Sequence, residues 1–493
     1  MSRLNKLTAA LRKNIGSNKP LTHYAALPMV ALLALAPVAQ AETSTDQSQQ
    51  TSDSSYSTST TGLSFSAALE AALANDPEIR SAYMTFTADK EEVNIAKANL
   101  LPTVSQTAGH RYEDSDNIYT DPDSDYYSVD LPRSSGTLND SYWQVNLRQP
   151  VVDFARYYDY KGSKSYVDAA SYRYQRAEQD LIYRLSERYL AVLLNAQQVY
   201  LNEQKLSSLE ANLDQVEREL SLGVGDQLNV LEVKARRDLA RSDLLQAKSE
   251  LSDAKTLLQN MIARDVNIPK AWVANGHQVE YNLPVGDEAD WLEKVNQNAI
   301  MQETAAKAKE AEIAVASRKA GHYPTVNFNL SYQDRHSEDD QRAREDFIVG
   351  LELSLPIYQG GRTEASIRQA SARLNAEYAG TDFTRSQVTQ RVKLAYSRMI
   401  SLSERLAALV ESRQSGQGYL DAAIRGQALN LRSQVEVLDA RTRLVDIQLN
   451  FADTLNQYLL ANLSLHLETG LLNREMLTEY DKLFEQAAQK TAP

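Results

Sequence analysis

Two acidic side chains, Glu436 and Asp439, stand three residues apart in the segment LNLRSQVEVLDARTRL. If the segment is helical, this spacing places both carboxylates on one face. The spacing alone favours an acidic turn exposed to solvent.

Residue patterns that would indicate an enzyme are missing from the rest of the chain. The sequence has six histidines and no cysteine, and it contains no HExxH motif, no GxSxG motif and no glycine-rich phosphate loop. His110 and His322 each stand alone beside a predicted strand, which is typical of surface residues. An aspartate-rich stretch between Tyr112 and Ser141 lacks the spacing of a calcium-binding EF-hand. We therefore predict no catalytic residue, no cofactor and no metal site.

Residues 1–41 have the pattern of a secretory signal peptide. An apolar run from Ala25 to Ala36 follows a basic stretch, and AQA at Ala39–Ala41 fits the small-x-small cleavage rule. Removal of the segment takes away five basic side chains and shifts the formal charge from −13 to about −18, which argues against nucleic acid as a partner. The lack of cysteine excludes both disulfides and lipidation at the cleavage site. Residues 42–62, rich in Ser, Thr and Gln, are predicted to be a disordered lead-in.

The remaining chain repeats one plan twice. LLPTV at residues 100–104 returns as HYPTV at residues 322–326, and LNVLEVKAR at residues 228–236 returns as SQVEVLDAR at residues 433–441. Landmarks that recur in the same order at nearly constant offset indicate tandem copies. We predict repeat 1 at residues 63–270, a linker at 271–286, repeat 2 at 287–472 and a C-terminal tail at 473–493.

Each copy is predicted to contain two very long helices. These span about residues 155–222 and 227–263 in the first copy, and about 362–426 and 432–469 in the second. Within the helix predicted at residues 155–222, five apolar residues are spaced 3, 4, 3 and 4 positions apart, which is the pattern of a coiled coil. They are Leu206, Leu209, Leu213, Val216 and Leu220. A helix of about 65 residues is roughly 100 Å long, far beyond the average of a globular protein.

Four segments are predicted to be strands, two before each pair of long helices. In TVNFNLSYQ, the apolar side chains of Val326, Phe328 and Leu330 alternate with polar ones. In IVGLELSLP, Leu351 and Leu353 lie on the apolar side in the same way. Each segment has about ten residues, the length of a tilted strand that crosses a bilayer.

Two arrangements fit these strands. A soluble sheet would place the apolar face on a second layer, whereas a membrane barrel would place it on lipid and the polar face on a water-filled channel. The helices have their own coiled-coil partners, so they offer no second layer. Four strands are too few to close a barrel, but three chains would supply twelve. The pattern therefore favours a shared barrel and requires an oligomer.

With its two-copy plan and the segments SLPIYQGGRTEASIRQA, DPEI and LLP, the sequence resembles the TolC family of trimeric outer-membrane efflux and secretion channels. The resemblance covers almost all of the chain from Leu63 to about Asn473. It implies a mainly α fold with a β-barrel part. In such a trimer, twelve strands form one barrel, and twelve long helices continue it as a periplasmic tunnel with a mixed α/β belt midway.

The resemblance also implies roles for particular residues. Glu436 and Asp439 match acidic rings at the narrow periplasmic mouth, and Arg432 matches an arginine that holds the closed mouth. Its expected partner position is Asn229, where well-known members carry an aspartate, so the closed-state latch does not carry over in detail. Three glycines mark the two helical-hairpin tips that dock on an adaptor in the family: Gly223, Gly225 and Gly426. Lipid contact is expected for Val326, Phe328, Leu330, Leu351 and Leu353.

The predicted function is that of an outer-membrane exit duct in a tripartite efflux or type I secretion system. Its partners would be two further copies of the chain, a periplasmic adaptor, an inner-membrane transporter and outer-membrane lipid. An alternative is a periplasmic coiled-coil adaptor or scaffold that never enters the membrane, and the four amphipathic strands argue against it. Drug efflux and protein secretion use similar ducts, so the sequence leaves the cargo open.

Overall fold

A computed structural model of the chain describes residues 64–114, 123, 137–266, 268, 270–275, 286–337, 343–429 and 431–489. The predicted signal peptide, the lead-in at 42–62 and most of the two strand-connecting loops lie outside these residues. The described residues form ten α-helices and four strands, and two short 3₁₀ turns flank the seventh helix. Their bounds are α1 Phe65–Asn75, α2 Pro77–Ala98, β1 Thr103–Asp114, β2 Thr137–Val152, α3 Phe154–Ser221, α4 Gln227–Ile262, α5 Lys270–Asn275, α6 Glu288–Glu293, α7 Ala299–Lys319, β3 Thr325–Ser337, β4 Arg344–Ser354, α8 Arg362–Ala428, α9 Gln434–Glu468 and α10 Arg474–Gln489.

The four long helices begin and end within a few residues of the predicted positions. α3 and α8 contain 68 and 67 residues, and α4 and α9 contain 36 and 35. Side-chain caps set several helix starts. Asp76 accepts hydrogen bonds from the amides of Glu78 and Ile79, and Pro77 stands at the first helical position of α2, where no amide hydrogen is needed.

Strand β2 runs past the proline at which the prediction ended it. The expected end was Pro150, but the strand continues to Val152, and its register with β3 shifts between these two residues. Proline cannot donate a ladder hydrogen bond, so a bulge is one of the few ways in which a strand can contain it. β4 ends at Ser354, two residues before the expected Pro356.

The predicted coiled-coil seam forms the contact between α3 and α4. Leu209, Leu213 and Val216 are buried against Val230 and Val233 of α4, and Leu206 and Leu220 pack at the margin of the same cluster. Leu438 of α9 is buried in this cluster as well. The seam therefore joins the α3–α4 hairpin internally and also attaches the α8–α9 hairpin to it.

The largest core surrounds the middle of the long helices, where the short helices pack. Phe65 of α1 stacks on Tyr189 of α3 at 4.7 Å between ring centroids, and Phe484 of α10 meets Trp272 of α5 edge-on at 4.7 Å. Within the described residues this belt is helical, whereas the family resemblance implied a mixed α/β belt. The part of the linker at residues 276–285 lies outside the described residues.

The predicted C-terminal tail contains helix α10, which sequence reasoning missed. Leu477, Tyr480 and Phe484 are buried on one side of it. The carboxylate of Asp481 accepts hydrogen bonds from the amides of Phe65 and Ser66 at 2.6 and 2.9 Å, so the last helix caps the first. The apolar spacing of α10 was visible in the sequence, but its partner surface exists only in the folded chain.

The four strands form one antiparallel sheet in the order β1-β2-β3-β4. Residues that face each other across neighbouring strands point to the same side of a sheet. Phe328 is opposite Leu351, Val326 is opposite Leu353 and Leu330 is opposite both Leu147 and Val349. The structure thus collects all five residues of the predicted lipid-facing set on one face.

Polar side chains occupy the opposite face and hydrogen-bond across it. Asn329 donates to Glu352 at 3.1 Å, while Gln144 donates to Ser331 at 3.1 Å and Ser331 donates to Asn146 at 2.9 Å. The sheet therefore has one apolar and one hydrogen-bonded side, as the alternation in the sequence predicts.

We expect the folded chain to lose stability as the pH is lowered, because of the partly buried imidazole of His466. Burial against Trp291, with the two rings at 4.9 Å, lowers the pKa of His466, so below about pH 6.5 the unfolded chain binds a proton that the folded chain resists. Stability is full above that pH and is lost as the pH falls through the lowered pKa. Thermal unfolding of the wild type between pH 7.5 and 5.5 should show this loss, and His466→Gln should reduce it. His336→Gln, at an exposed histidine of β3, is the control for the loss of an imidazole elsewhere in the chain.

Candidate functional site at the helical tips

Two short loops connect the long helices at one end of the molecule. The first joins α3 to α4, and the second joins α8 to α9. Asp226 caps α4 by accepting a hydrogen bond from the amide of Leu228 at 3.1 Å. Ser433 caps α9 in a capping box, because its hydroxyl accepts from the amide of Glu436 while the Glu436 carboxylate accepts from the amide of Ser433 at 2.8 Å.

The three predicted tip glycines each meet a different steric demand. Gly223 has a φ of 74°, the left-handed region that favours glycine. A Cβ on Gly225 would lie 2.5 Å from the backbone nitrogen of Leu220, and one on Gly426 would lie 2.7 Å from Cγ of Arg432. Gly223 and Gly225 lie in the first loop, whereas Gly426 lies in the last turn of α8, two residues before that helix ends.

Apolar side chains stand out of both loops into solvent. Leu222 and Val224 in the first loop are 76% and 79% exposed, and Leu429 and Leu431 in the second are 69% and 76% exposed. Leu228 is exposed beside them. Exposed apolar residues that gather at one end of a molecule are typical of a surface that binds another protein.

Glu436 binds an arginine of its own tip. Arg432 Nη1 donates to Glu436 Oε1 at 2.8 Å. The Ser433 amide and then this guanidinium lower the pKa of Glu436, so the carboxylate stays charged to a lower pH than that of an ordinary glutamate. Asn229, the expected latch partner of Arg432, is an exposed residue of α4. The described chain thus pairs Arg432 with Glu436, and a contact with Asn229 stays a prediction.

Asp439 binds an arginine of the other hairpin. Arg236 of α4 donates to the Asp439 carboxylate through Nη1, and to Glu232 through Nη2 at 2.7 Å. The hydrogen bond to Asp439 is the largest cause of a raised pKa at Arg236. Sequence reasoning did not select Arg236, because a lone arginine among many charged helix residues carries no distinguishing signal.

Further polar contacts join the two hairpins on both sides of this pair. Arg441 Nη1 donates to the hydroxyl of Ser208 at 2.7 Å, and Gln434 Nε2 donates to Asn212 at 3.3 Å. Lys205 Nζ lies 3.8 Å from an Asp446 carboxylate oxygen. Together they form a polar border along the apolar seam that contains Leu438.

In the part of the chain that the structure describes, no group of three or more His, Cys, Asp or Glu side chains is arranged to hold a metal ion. The described helices also include none that combines the length and apolarity needed to cross a bilayer.

The fold combines two helices of about 100 Å, each paired with a helix about half as long, with a two-faced antiparallel sheet. The family model described as outer membrane efflux protein matches residues 68–264 and 293–471. The chain belongs to the outer membrane efflux protein family. Its function is that of an outer-membrane exit duct, and its location is the outer membrane.

Known proteins from several bacteria resemble the chain over most of its length. The proteases secretion protein PrtF of Dickeya chrysanthemi is 26% identical over 433 residues, which cover 85% of this chain and 91% of PrtF. The outer membrane protein TolC of Salmonella enteritidis is 23% identical over 414 residues, covering 82% and 81%. The open-state crystal structure of the MtrE outer membrane channel of Neisseria gonorrhoeae superposes with a TM-score of 0.68 at 14% identity, covering 84% and 91%. At that identity the structural likeness shows the fold alone.

Proposed function

We propose that three copies of the chain assemble into one continuous duct. The observation that carries this proposal is the open sheet. Within the described residues, β1 and β4 each pair with a single neighbour, which leaves two outer edges of 12 and 11 residues. Long unpaired edges recruit further strands. Pairing β4 of one copy with β1 of the next closes twelve strands and satisfies every edge.

The two faces of the sheet determine which side meets lipid. Phe328, Leu351 and Leu353 belong to the apolar face, and the last two are 72% and 68% exposed in the single chain. Their burial in lipid removes this exposed apolar surface from water. The hydrogen-bonded face around Asn329 and Ser331 then lines a water-filled channel.

At the other end, the tip loops form the docking surface for a periplasmic adaptor. Leu222, Val224, Leu429 and Leu431 supply apolar anchors, and the glycines allow both reversals. The adaptor links the duct to an inner-membrane transporter, which selects the cargo. Relatives are named for protease secretion and for efflux, so both type I secretion and efflux fit the same duct.

Fractionation of the cell envelope tests this function. The protein should appear in outer membranes, migrate as a trimer on an unheated gel and as a monomer after heating, and form water-filled channels in a planar lipid bilayer. A monomer recovered from the soluble periplasm would instead identify a coiled-coil adaptor or scaffold. A deletion strain tested for both secreted proteins and drug sensitivity identifies the cargo class.

Gly225→Ala is expected to disable the periplasmic tip without loss of the trimer. Its Cβ would overlap the backbone of Leu220, so the loop must change shape, whereas barrel and seam stay unaltered. Complementation of a deletion strain should fall by about tenfold or more, which corresponds to about 1.4 kcal/mol in an equilibrium constant.

The matched control for this change is Gly418→Ala, in the interior of α8. A Cβ there meets no atom within 4 Å, and alanine suits a helix better than glycine. Normal complementation by Gly418→Ala is expected. Equal activity of both variants would show that the shape of the first tip loop is unimportant for docking.

A further inference from the structure

Arg236 and Asp439 connect the two helical hairpins at the end where the mouth of the proposed duct would lie. We propose that Arg236 neutralises Asp439 while the hairpins are packed together, and that their separation exposes this carboxylate, so that the cation preference of the mouth rises as it opens. This inference rests on the proposed function, since it requires the tips to surround a pore.

The two acidic residues of α9 differ in which hairpin supplies their cation. Glu436 binds Arg432, four residues earlier on the same tip, so both move together when the hairpin moves. Asp439 binds Arg236 of α4, 203 residues away in the chain. Relative movement of the hairpins therefore changes the environment of Asp439 and leaves that of Glu436 unaltered.

Arg236 keeps a partner when it leaves Asp439. Its second nitrogen, Nη2, donates to Glu232 one turn earlier on α4 at 2.7 Å. The guanidinium therefore stays partly neutralised on its own helix after separation, while Asp439 is left without its cation. Each chain then exposes one additional carboxylate, which makes three around the axis of a trimer.

Near the tips, the other contacts between the hairpins favour Arg236 as the principal electrostatic connection. A second ion pair between the hairpins, Arg176 of α3 with Glu468 of α9 at 3.5 Å, lies at the far end of α9, beside the belt. Arg441 binds the neutral hydroxyl of Ser208, and Gln434 binds Asn212, so neither contact joins opposite charges. Lys205 and Asp446 do carry opposite charges, but at 3.8 Å they lie beyond hydrogen-bonding distance. Arg236 and Asp439 are each about one-third to two-fifths exposed, so water can reach the carboxylate once the pair separates.

Planar-bilayer recordings of purified trimers test the inference with four variants. Arg236→Gln should raise both the conductance and the ratio of cation to anion permeability, the latter by about two- to fivefold, as expected for a part-exposed ion pair. Asp439→Asn should raise the conductance and lower the permeability ratio. The charge swap Arg236→Asp with Asp439→Arg should restore a low conductance while the permeability ratio falls below that of the wild type. Arg241→Gln, at an exposed arginine on the same helix, is the matched control and should resemble the wild type.

The results of these recordings distinguish failure of the inference from failure of the proposed function on which it rests. A wild-type protein that forms no channel overturns the proposed function and the inference together. A wild-type channel whose Arg236→Gln variant behaves like Arg241→Gln overturns the inference alone. If Arg236→Gln reduces trimer yield, the charge swap still decides, because restored conductance requires a contact between positions 236 and 439.

Discussion

Phe328→Arg is expected to remove most of the assembled channel from the outer membrane. Phe328 belongs to the apolar face of the sheet, with Leu351 directly opposite. An arginine on the lipid-facing side of a strand costs about 2–4 kcal/mol near the middle of the bilayer, and a trimer would carry three. Trimer migration on unheated gels and the yield from outer membranes measure the loss.

The adjacent residue provides the control for this change. Asn329 lies on the hydrogen-bonded face, opposite Gly350, and donates to the carboxylate of Glu352 at 3.1 Å. Asn329→Arg therefore places its guanidinium beside an acidic group in water, so the trimer should assemble with altered conductance. Equal loss of trimer from both variants would show that the assignment of the two faces is wrong.

Neutralising Glu436 and Asp439 together is expected to abolish most of the cation preference of the channel. Six carboxylates per trimer would face one axis at a narrow mouth. A unit charge 4 Å from an ion contributes about 1 kcal/mol even in bulk water, which is about fivefold in a permeability ratio, and more where water is excluded. Glu436→Gln with Asp439→Asn should bring the cation-to-anion permeability ratio close to one and weaken block by trivalent cations from the periplasmic side.

The choice of amides keeps the fold of the tip constant. Glu436 completes the capping box of α9, and glutamine can occupy that position, whereas alanine would remove the cap. The double alanine variant should show the same loss of selectivity with an additional loss of tip stability. Of the single changes, Asp439→Asn should account for the larger part. Unchanged selectivity in the double amide channel would show that both residues lie on a solvent-exposed helix face and have no role in ion selection.

Arg432→Ala tests separately whether Arg432 helps to hold the mouth closed, with the conductance of the channel as the measurement. The sequence resemblance implied that Arg432 holds neighbouring hairpins, but in the described chain it binds Glu436 on its own tip. A modest rise in conductance is expected, smaller than that of Arg236→Gln, because Arg236 joins two hairpins.

The elements of this protein follow from local patterns in its sequence. The alternation in TVNFNLSYQ, the steps of three and four from Leu206 to Leu220, and the tip glycines each specify a conformation within a few residues of chain. Such patterns predicted the four strands, the four long helices and their reversals. They also placed Val326, Phe328 and Leu330 on one side, since side-chain direction in a strand depends only on position.

These local patterns did not predict contacts between segments that are distant in the sequence. The segment that forms α10 was predicted to be a tail. Its apolar side packs against Phe65, near the start of the described chain, and against Trp272 in the linker, and neither contact is visible in the local sequence. Arg236 was one charged residue among many until the packing of Leu438 into the α3–α4 seam brought Asp439 beside it. Local patterns in the sequence therefore identified the four long helices, the four strands and their apolar faces. They could not identify which charges meet, because an ion pair depends on the relative position of two helices, and that position is set by packing over the whole length of the hairpins.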